Sequence, residues 1–166
     1  NSGHRALAAM EKKVEKFWLI TQNVDNLHRK AGSANVLELH GNIMKNKCAE
    51  CSRPAGSVDG VTRGNPPRCR CGGLIRPDVV WFGEMLPGDV LDEAFRAAAV
   101  CGVFLSIGTS ALVQPAASLP LAAKEAGAYV AEINTVETAI THRLDEHIQG
   151  RSGDVLPDLV EEVWGE

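Results

Sequence analysis

VFLSIGTSALVQPAASLPLAAKEAGAYVAEIN, residues 103–134, predicts a strand, a helix and a second strand. Val103–Ile107 is apolar but for one serine, which is typical of a strand covered on both faces. Pro115 suits the start of the helix and Gly127 its end, and Tyr129–Ile133 is a second, mostly apolar strand. This order within about 31 residues is a βαβ crossover, so we expect an α/β fold with a parallel sheet.

Hydrophobic spacing predicts the other elements. We expect helices at residues 3–15, Asp25–Lys30 and Asp89–Val100, and strands at Phe17–Thr21, Val36–Leu39 and Val79–Phe82. Residues 42–77 differ, because four prolines and five glycines surround their cysteines. We expect this part to be loop-rich and unable to bury a core without a metal.

Composition excludes several classes of function. The chain has 166 residues, is 45% hydrophobic and carries a net charge of −4, which disfavours general binding to nucleic acid or membrane surfaces. No apolar run reaches the roughly 18–20 residues that span a bilayer, and no signal-peptide pattern is present. Five cysteines in such a chain favour metal binding over disulfides, and we expect a cytoplasmic protein.

The first residues suggest that the sequence is a piece of a longer protein. The chain starts at Asn1, and an apolar helical stripe is under way by Leu7. The alternative is a complete small protein that has lost its initiator methionine.

Four cysteines are the strongest chemical signal. Two close pairs, Cys48 with Cys51 and Cys69 with Cys71, supply four soft thiolates suited to tetrahedral Zn²⁺. Because all four positions are filled by protein, the predicted zinc is structural and has no open site for water. The alternative is a set of buried thiols without a metal. Cys101 lies in an apolar run and is predicted to be a core residue.

The segment around these cysteines is basic. Residues 42–77 hold seven Lys or Arg against Glu50 and Asp59. A basic zinc knuckle can bind nucleic acid, but no aromatic residues lie among these charges. We therefore expect the charges to balance the thiolates, and nucleic-acid binding is not favoured.

Three polar loops follow predicted strands: Gln22-Asn23-Val24-Asp25, Gly108-Thr109-Ser110 and Asn134-Thr135. The carboxyl ends of parallel strands meet at one edge of the sheet, where α/β folds bind ligands. A glycine allows close approach of the backbone to a ligand, and the hydroxyls can donate to phosphate. The loops predict a nucleotide site, although the Gly-x-Gly-x-x-Gly pattern is absent.

His40 is the best candidate for proton transfer. It ends the run at residues 36–39 and precedes Gly41, between the polar loops and the cysteines. Imidazole gains and loses its proton near neutral pH, which suits a general base, while a purely structural histidine is the alternative. The remaining histidines are predicted to be exposed or hydrogen-bonded within the structure: His4, His28, His142 and His147.

Taken together and in order, six motifs resemble the sirtuins, and they cover essentially the whole chain. They are Thr21–His28, Glu38–Gly41, the four cysteines, Arg76–Glu84, Gly108–Ser110 and Glu132–Asn134. Val-Val-Trp-Phe-Gly-Glu at residues 79–84 looks most like the bacterial protein deacylases and their mitochondrial relatives.

The resemblance implies an NAD-dependent protein-lysine deacylase of the deacetylase or desuccinylase type. The acyl group of an acylated lysine on a protein would pass to ADP-ribose, with release of nicotinamide. Residues 1–41 and 78–166 would form a discontinuous Rossmann-like NAD-binding domain, truncated at its amino terminus. Residues 42–77 would form the structural zinc module.

The resemblance also implies the site residues. His40 would be the general base, and Val80, Trp81, Phe82, Gly83 and Glu84 would bind substrate. The residues implied to bind NAD are Gln22, Asn23, Val24 and Asp25 at the nicotinamide ribose, Gly108, Thr109 and Ser110 at the phosphates, Asn134, Thr135 and Val136 at the adenosine, and Ser152 at the adenine.

The chain departs from the family in two ways. Its second cysteine pair is C-x-C, which tightens that loop, and the family's Gly-Ala-Gly-x-Ser and Pro-x-Phe-Arg segments are missing. We therefore expect the 166 residues alone to be inactive. A non-catalytic NAD or ADP-ribose binding module and a zinc-knuckle nucleic-acid binder are the competing functions.

Overall fold

A computed structural model describes residues 1–56 and 66–165 of the chain. The α-helices of this part are α1 (Ser2–Met10), α2 (Leu27–Lys30), α3 (Gly88–Val100), α4 (Leu119–Glu125) and α5 (Ser152–Trp164). The strands are β1 (Leu19–Thr21), β2 (Val36–Glu38), β3 (Gly41–Cys48), β4 (Pro54–Ala55), β5 (Ile75–Val79), β6 (Val103–Ile107), β7 (Tyr129–Asn134) and β8 (Glu146–Gln149). Of the predicted zinc module, residues 57–65 lie outside the described residues, and with them Asp59 and Arg63.

The parallel strands form two groups, β1-β2 and β6-β7-β8. In the larger group Ile107, Ile133 and Ile148 stand at one register position across the three strands. β6, α4 and β7 make the predicted βαβ unit, with both strands close to their predicted bounds. The predicted α/β fold with a Rossmann-like parallel sheet is confirmed.

Helices cover both faces of the parallel strands. Ile133 belongs to a core with Leu156 of α5, whereas Val130, three residues earlier on β7, belongs to a core with Ala94 of α3 and Ala123 of α4. Both strand residues have no exposed surface, which explains why the strand reads as an almost continuous apolar run.

β6 is less covered than predicted. Val103 is 61% exposed, and β6 is hydrogen-bonded to β7 on one side only within the described residues. An edge strand can therefore have an apolar sequence without being buried along its whole length.

The helix of the βαβ unit begins later than predicted. One 3-10 turn at Ala116–Ser118 follows Pro115, and α4 begins only at Leu119. Pro120 then lies in the first helical turn, where its missing N–H has no intrahelical partner to lose. Gly127, with φ +98°, ends the helix region as predicted.

The prediction that residues 42–77 are mostly loop was wrong for part of this segment. Gly41–Cys48 is an eight-residue strand that pairs antiparallel with both β4 and β5. Ile43 and Met44 are 47% and 64% exposed, so this small sheet buries too few side chains to give an alternating pattern. The small sheet is defined by backbone hydrogen bonds between strands, which hydrophobic periodicity does not reveal.

Two further boundaries differ from prediction by more than two residues. α1 ends at Met10, not at residue 15, and β5 occupies Ile75–Val79, not Val79–Phe82. β5 ends at Val79, and the chain turns a few residues later, where the Glu84 N–H donates to the Trp81 carbonyl and Gly83 has φ +87°. Among the described residues, none of the helices has the length and apolar content needed to cross a bilayer.

Candidate functional site

The polar loops after β1, β6 and β7 meet at one edge of the sheet. The Asn134 side-chain amide donates to the carbonyl oxygen of Thr109 at 2.9 Å. The Gln22 amide donates to the Thr109 hydroxyl at 3.5 Å, which joins the β1 and β6 loops. Their convergence, which parallel topology predicts, is therefore a feature of the structure.

A cavity of about 440 Å³ opens between the β6 and β7 loops. Of the residues predicted to bind NAD, Gly108, Thr109, Ser110, Asn134 and Val136 line it. Sequence reasoning missed four further lining residues, Leu112, Glu137, Thr138 and Ala139. The available signal was their position in loops that directly follow parallel strands.

Gly108 leaves the cavity floor open. Its φ is +62°, in the left-handed region that favours glycine, and a Cβ added there would meet nothing within 4 Å. A ligand can therefore approach the backbone of this turn closely, as predicted from the Gly-Thr-Ser sequence.

Thr135 and Ser152 do not line this cavity. The Thr135 N–H donates to the Asn134 side chain at 2.9 Å, and the Thr135 carbonyl accepts from Gln149. Ser152 is the first residue of α5, and the Gly150 N–H before it donates to the Asn134 carbonyl at 2.9 Å. The segment leading into α5 is therefore adjacent to the end of β7.

His40 lies on the β1 side of the site and is half-buried. Its Nδ1 is 2.9 Å from the carbonyl oxygen of Gln22. Because a carbonyl oxygen can only accept, this contact assigns the proton of the neutral ring to Nδ1 and leaves the Nε2 lone pair free. A free Nε2 is what a general base needs.

Three hydrogen bonds hold the rest of the loop after β1. The Asn23 N–H donates to the buried Thr21 hydroxyl at 3.1 Å, and the Val24 carbonyl accepts from Ile43 at 2.8 Å. The Asp25 carboxylate accepts from the Leu27 N–H at 2.9 Å, at the start of α2. Asn23, Val24 and Asp25 directly follow Gln22, which contacts His40, and they do not line the 440 Å³ cavity.

The predicted substrate segment begins next to His40. The Val80 N–H donates to the His40 carbonyl at 2.9 Å. The Glu84 carboxylate accepts hydrogen bonds from Arg76 at 2.8 Å and from the Trp81 N–H at 3.1 Å. Both hydrogen bonds lower the pKa of Glu84, and the one from Arg76 has the larger effect. The Arg76 guanidinium lies 4.2 Å from the centre of the Trp81 ring. These contacts hold a turn on whose tip Phe82 is fully exposed.

The four cysteines converge as predicted. Their Sγ atoms all lie within 4.8 Å of one another, with separations of 3.4 Å for Cys48–Cys71 and 3.8 Å for Cys51–Cys69. Four sulfurs at about 2.3 Å from a tetrahedral zinc would be about 3.8 Å apart, so the cluster fits one ion. The separations are far longer than the roughly 2.05 Å of a disulfide.

The environment of Cys48 favours a thiolate. Its side chain is buried, and the backbone N–H groups of Cys51 and Glu50 point to its sulfur. The Cys51 contact is the larger cause that lowers the pKa of the Cys48 thiol to about 6. Cys101, by contrast, packs against the core of α3 and α4, and burial raises its pKa. The prediction of a zinc-ligating set that excludes Cys101 agrees with this geometry.

The prediction for the remaining histidines was partly wrong. His142 is exposed, but His28 Nδ1 and His147 Nε2 are buried and have no hydrogen-bond partner among the described residues. The His28 ring packs against His4 at 4.5 Å between centroids. Sequence position alone did not show that these rings face the interior, because the packing joins α1 with α2 and β7 with β8.

Known proteins are similar to this chain over most of its length. The model of the Sir2 family matches residues 1–115. An NAD-dependent protein deacylase 2 from Pyrobaculum aerophilum is 53% identical over 165 residues, which are 97% of this chain and 65% of the relative.

Two solved structures are also similar. A Sir2 homologue in complex with NAD is 46% identical with a TM-score of 0.91, and the match covers 98% of this chain and 64% of that one. A Sir2 protein bound to a myristoylated histone peptide is 43% identical with a TM-score of 0.84, over 98% and 71%. The chain therefore spans roughly two thirds of the length of the proteins it matches.

Proposed function

The chain belongs to the Sir2 family, and we propose that the protein carrying it is an NAD-dependent protein-lysine deacylase. The continuous contact from His40 to the nucleotide cavity carries this proposal. The ring of His40 contacts the main chain of Gln22, whose side chain reaches Thr109 at the cavity floor. These two contacts support the proposal that His40 acts as a base on a nucleotide bound in the cavity.

NAD is the co-substrate proposed for the cavity. The turn at Gly108, Thr109 and Ser110 offers open backbone and hydroxyl donors for phosphate oxygens. Asn134, Thr135 and Val136 would face the adenosine and Ser152 the adenine, while the loop from Gln22 to Asp25 would hold the nicotinamide ribose. When bound, NAD supplies an activated ribose carbon with nicotinamide as the leaving group.

His40 is proposed as the general base of the acyl transfer. With its Nδ1 proton directed to the Gln22 carbonyl, its Nε2 can accept a proton from a ribose hydroxyl. The Gln22 contact also fixes the plane of the ring, so the base needs no reorientation before proton transfer. The ring must be neutral for this role.

The substrate is proposed to be an acylated lysine of a protein. The exposed turn of Val80, Trp81, Phe82, Gly83 and Glu84 starts at the His40 carbonyl, so a peptide lying along it would place a side chain near the base. The histone-peptide complex of a similar protein supports a peptide substrate. The exposed rings of Trp81 and Phe82 suit contact with the apolar part of an acyl-lysine.

The zinc module is proposed to have a structural role. Residues 42–77 would form it, and residues 1–41 and 78–166 the NAD-binding domain. The four cysteines would fill all positions of a tetrahedral zinc, which would then have no open coordination site. It would hold together the small sheet of β3, β4 and β5. Thiolates arranged for a metal also suit a reducing compartment, and we place the protein in the cytoplasm.

Release of nicotinamide tests the proposal. The complete protein is incubated with NAD and either an acyl-lysine peptide or the same peptide with free lysine, and nicotinamide and deacylated peptide are measured. We expect equal amounts of the two products with the acylated peptide and none with the control. Binding of ADP-ribose without peptide-dependent release would instead indicate a non-catalytic binding module.

A further inference from the structure

A fully buried carboxylate lies beneath the nucleotide cavity. Glu132 of β7 has no exposed surface and stands in register with Ser106 of β6 and His147 of β8. Residues in register on parallel strands point to the same face, so the three form one polar row in an otherwise apolar sheet. Burial of a carboxylate lowers the stability of the fold unless the carboxylate accepts hydrogen bonds. The hydrogen-bond partners of Glu132 are therefore important for this part of the structure.

Two threonines satisfy this carboxylate. The Thr138 hydroxyl donates to Oε1 of Glu132 at 2.7 Å, and the Thr141 hydroxyl donates to Oε2. The Thr138 N–H in turn donates to the Thr141 hydroxyl oxygen at 2.7 Å. Both threonines follow β7 in the chain, so the segment from residue 135 to residue 141 folds back onto its own strand.

This segment, which we call the β7 loop (residues 135–141), forms one wall of the nucleotide cavity. Val136, Glu137, Thr138 and Ala139 line the cavity, whereas Glu132 does not reach it. The start of the loop is held separately, because the Gln149 side chain donates to the Thr135 carbonyl at 3.1 Å. Glu132 therefore holds the end of the loop at Thr138 and Thr141, whereas Gln149 holds its start at Thr135.

We propose that Glu132 is a positioning residue that fixes the β7 loop for nucleotide binding through Thr138 and Thr141. The inference rests on the proposed function, since it takes the cavity to be the site of NAD. A loop held in its bound conformation loses less conformational entropy when the ligand binds. Loss of one hydrogen bond to Glu132 would leave the residues that contact the nucleotide in place. Nucleotide binding would become weaker, because the loop would then have to be ordered when the nucleotide binds.

Thr141 offers the cleanest test, because it holds Glu132 but does not line the cavity. Thr141→Val removes the hydroxyl at nearly constant shape, and Thr141→Ser retains it. Ser106→Ala is the matched control, since it removes a buried hydroxyl from the same polar row that has no partner among the described residues. The dissociation constant of ADP-ribose is measured by calorimetry in the complete protein, at a temperature where each variant is folded.

We expect Thr141→Val to raise the dissociation constant of ADP-ribose by about tenfold, and Thr141→Ser and Ser106→Ala to stay within about twofold of the unmodified protein. Hydrogen exchange of the amides of residues 135–139 should accelerate in Thr141→Val and not in Ser106→Ala. In turnover assays Glu132→Gln should raise the KM for NAD more than it lowers kcat. Should Glu132→Gln fail to fold, Thr141→Val alone decides.

Two results would overturn the inference in distinguishable ways. A folded Thr141→Val protein that binds ADP-ribose as tightly as the unmodified protein would show that the anchor does not position the loop. An unmodified protein that does not bind ADP-ribose would overturn the proposed function itself, and the inference with it.

Discussion

Nδ1 of His40 lies 2.9 Å from the carbonyl oxygen of Gln22, and this contact determines which ring nitrogen can act as a base. The carbonyl belongs to the loop after β1, and the side chain of the same glutamine contacts Thr109 after β6. Gln22 therefore contacts the imidazole through its backbone and, through its side chain, Thr109, which lines the 440 Å³ cavity. Changes at His40 should for this reason affect chemistry more than binding.

Replacement of His40 should abolish turnover. General-base catalysis contributes about 10²–10⁴-fold, so His40→Ala should lower kcat by at least about a hundredfold. His40→Tyr, which keeps an aromatic ring, should be equally inactive. ADP-ribose affinity, measured by calorimetry, should change by less than about threefold, because the cavity is lined by other residues. The exposed His142→Ala is the control, and near-normal turnover of His40→Ala would refute the assignment.

Loss of one zinc ligand should empty the metal site. Cys51→Ser removes a thiolate from the four-sulfur cluster, and we expect bound zinc, measured by elemental analysis, to fall from one ion per chain to less than about a tenth. Because β3, β4 and β5 bury little apolar surface, circular dichroism should show loss of strand signal. Cys101→Ser is the matched control, since Cys101 lies apart from the cluster and should leave the zinc content unchanged. Full zinc occupancy in Cys51→Ser would contradict the structural site.

The sequence was sufficient for the βαβ unit of the parallel sheet, whereas β8 and α5 were not predicted. β6 and β7 are apolar enough to be recognised as strands, and Gly127 marks the end of the intervening helix. β3 could not be recognised, because Ile43 and Met44 are exposed and the strand exists through backbone pairing with β5. Local sequence patterns therefore predict buried strands well, but they predict pairing between exposed strands poorly.

Some features of the candidate site could likewise be predicted from the sequence, and others could not. The cysteine spacing and the Gly-Thr-Ser turn are local patterns with direct chemical meaning, and the structure brings each set together. The anchor of Glu132 on Thr138 and Thr141 is not visible in the sequence, because a glutamate in an apolar strand resembles an exposed edge position. Its burial depends on neighbouring strands whose register only the structure gives.

Gly41, directly after His40, should not tolerate a side chain. Its φ is +79°, and a Cβ there would lie 2.1 Å from the Asp78 carbonyl oxygen on β5. Gly41→Ala should lower the free energy of unfolding by about 3 kcal/mol or more, because both the backbone angle and the strand contact are lost. Urea unfolding measures the change.

Gly88→Ala is the control for this substitution. Gly88 begins α3, and a Cβ there meets nothing within 4 Å. The change should be neutral or stabilise the protein by up to about 1 kcal/mol through helix propensity. Equal stabilities of the two variants would contradict the close approach of β3 and β5 at Gly41.

The ion pair of Arg76 and Glu84 should control peptide binding. It holds the turn that carries Trp81, so Glu84→Gln should raise the KM for an acyl-lysine peptide by about threefold to tenfold while kcat changes little. ADP-ribose affinity should not change, because neither residue lines the nucleotide cavity. Glu93→Gln, which breaks the exposed pair with Arg96 on α3, is the control and should leave both constants unchanged. An unchanged peptide KM in Glu84→Gln would exclude this turn from substrate binding.

The packed rings of His4 and His28 should make stability sensitive to acid. Burial lowers the pKa of both imidazoles, and for His28 the nearby His4 lowers the pKa further. The unfolded chain therefore binds protons more readily than the folded chain. The stabilisation that this pair contributes is fully present above about pH 6.5, the value of a free imidazole, and is lost as the pH falls towards the lowered pKa values.

Unfolding by urea at several values between about pH 7 and pH 5 measures this loss, and His28→Gln should make stability less dependent on pH within that window. The carboxylate of Asp145, whose pKa Lys124 lowers by a hydrogen bond, would lose its contribution only at more acidic pH. Acid affects the zinc site equally in the unmodified protein and in His28→Gln. The difference between their pH dependences of stability therefore measures the contribution of the histidine pair. The exposed His142→Gln should keep the slope of the unmodified protein. If His28→Gln kept that slope as well, protonation of the α1–α2 contact would not be the cause of acid sensitivity.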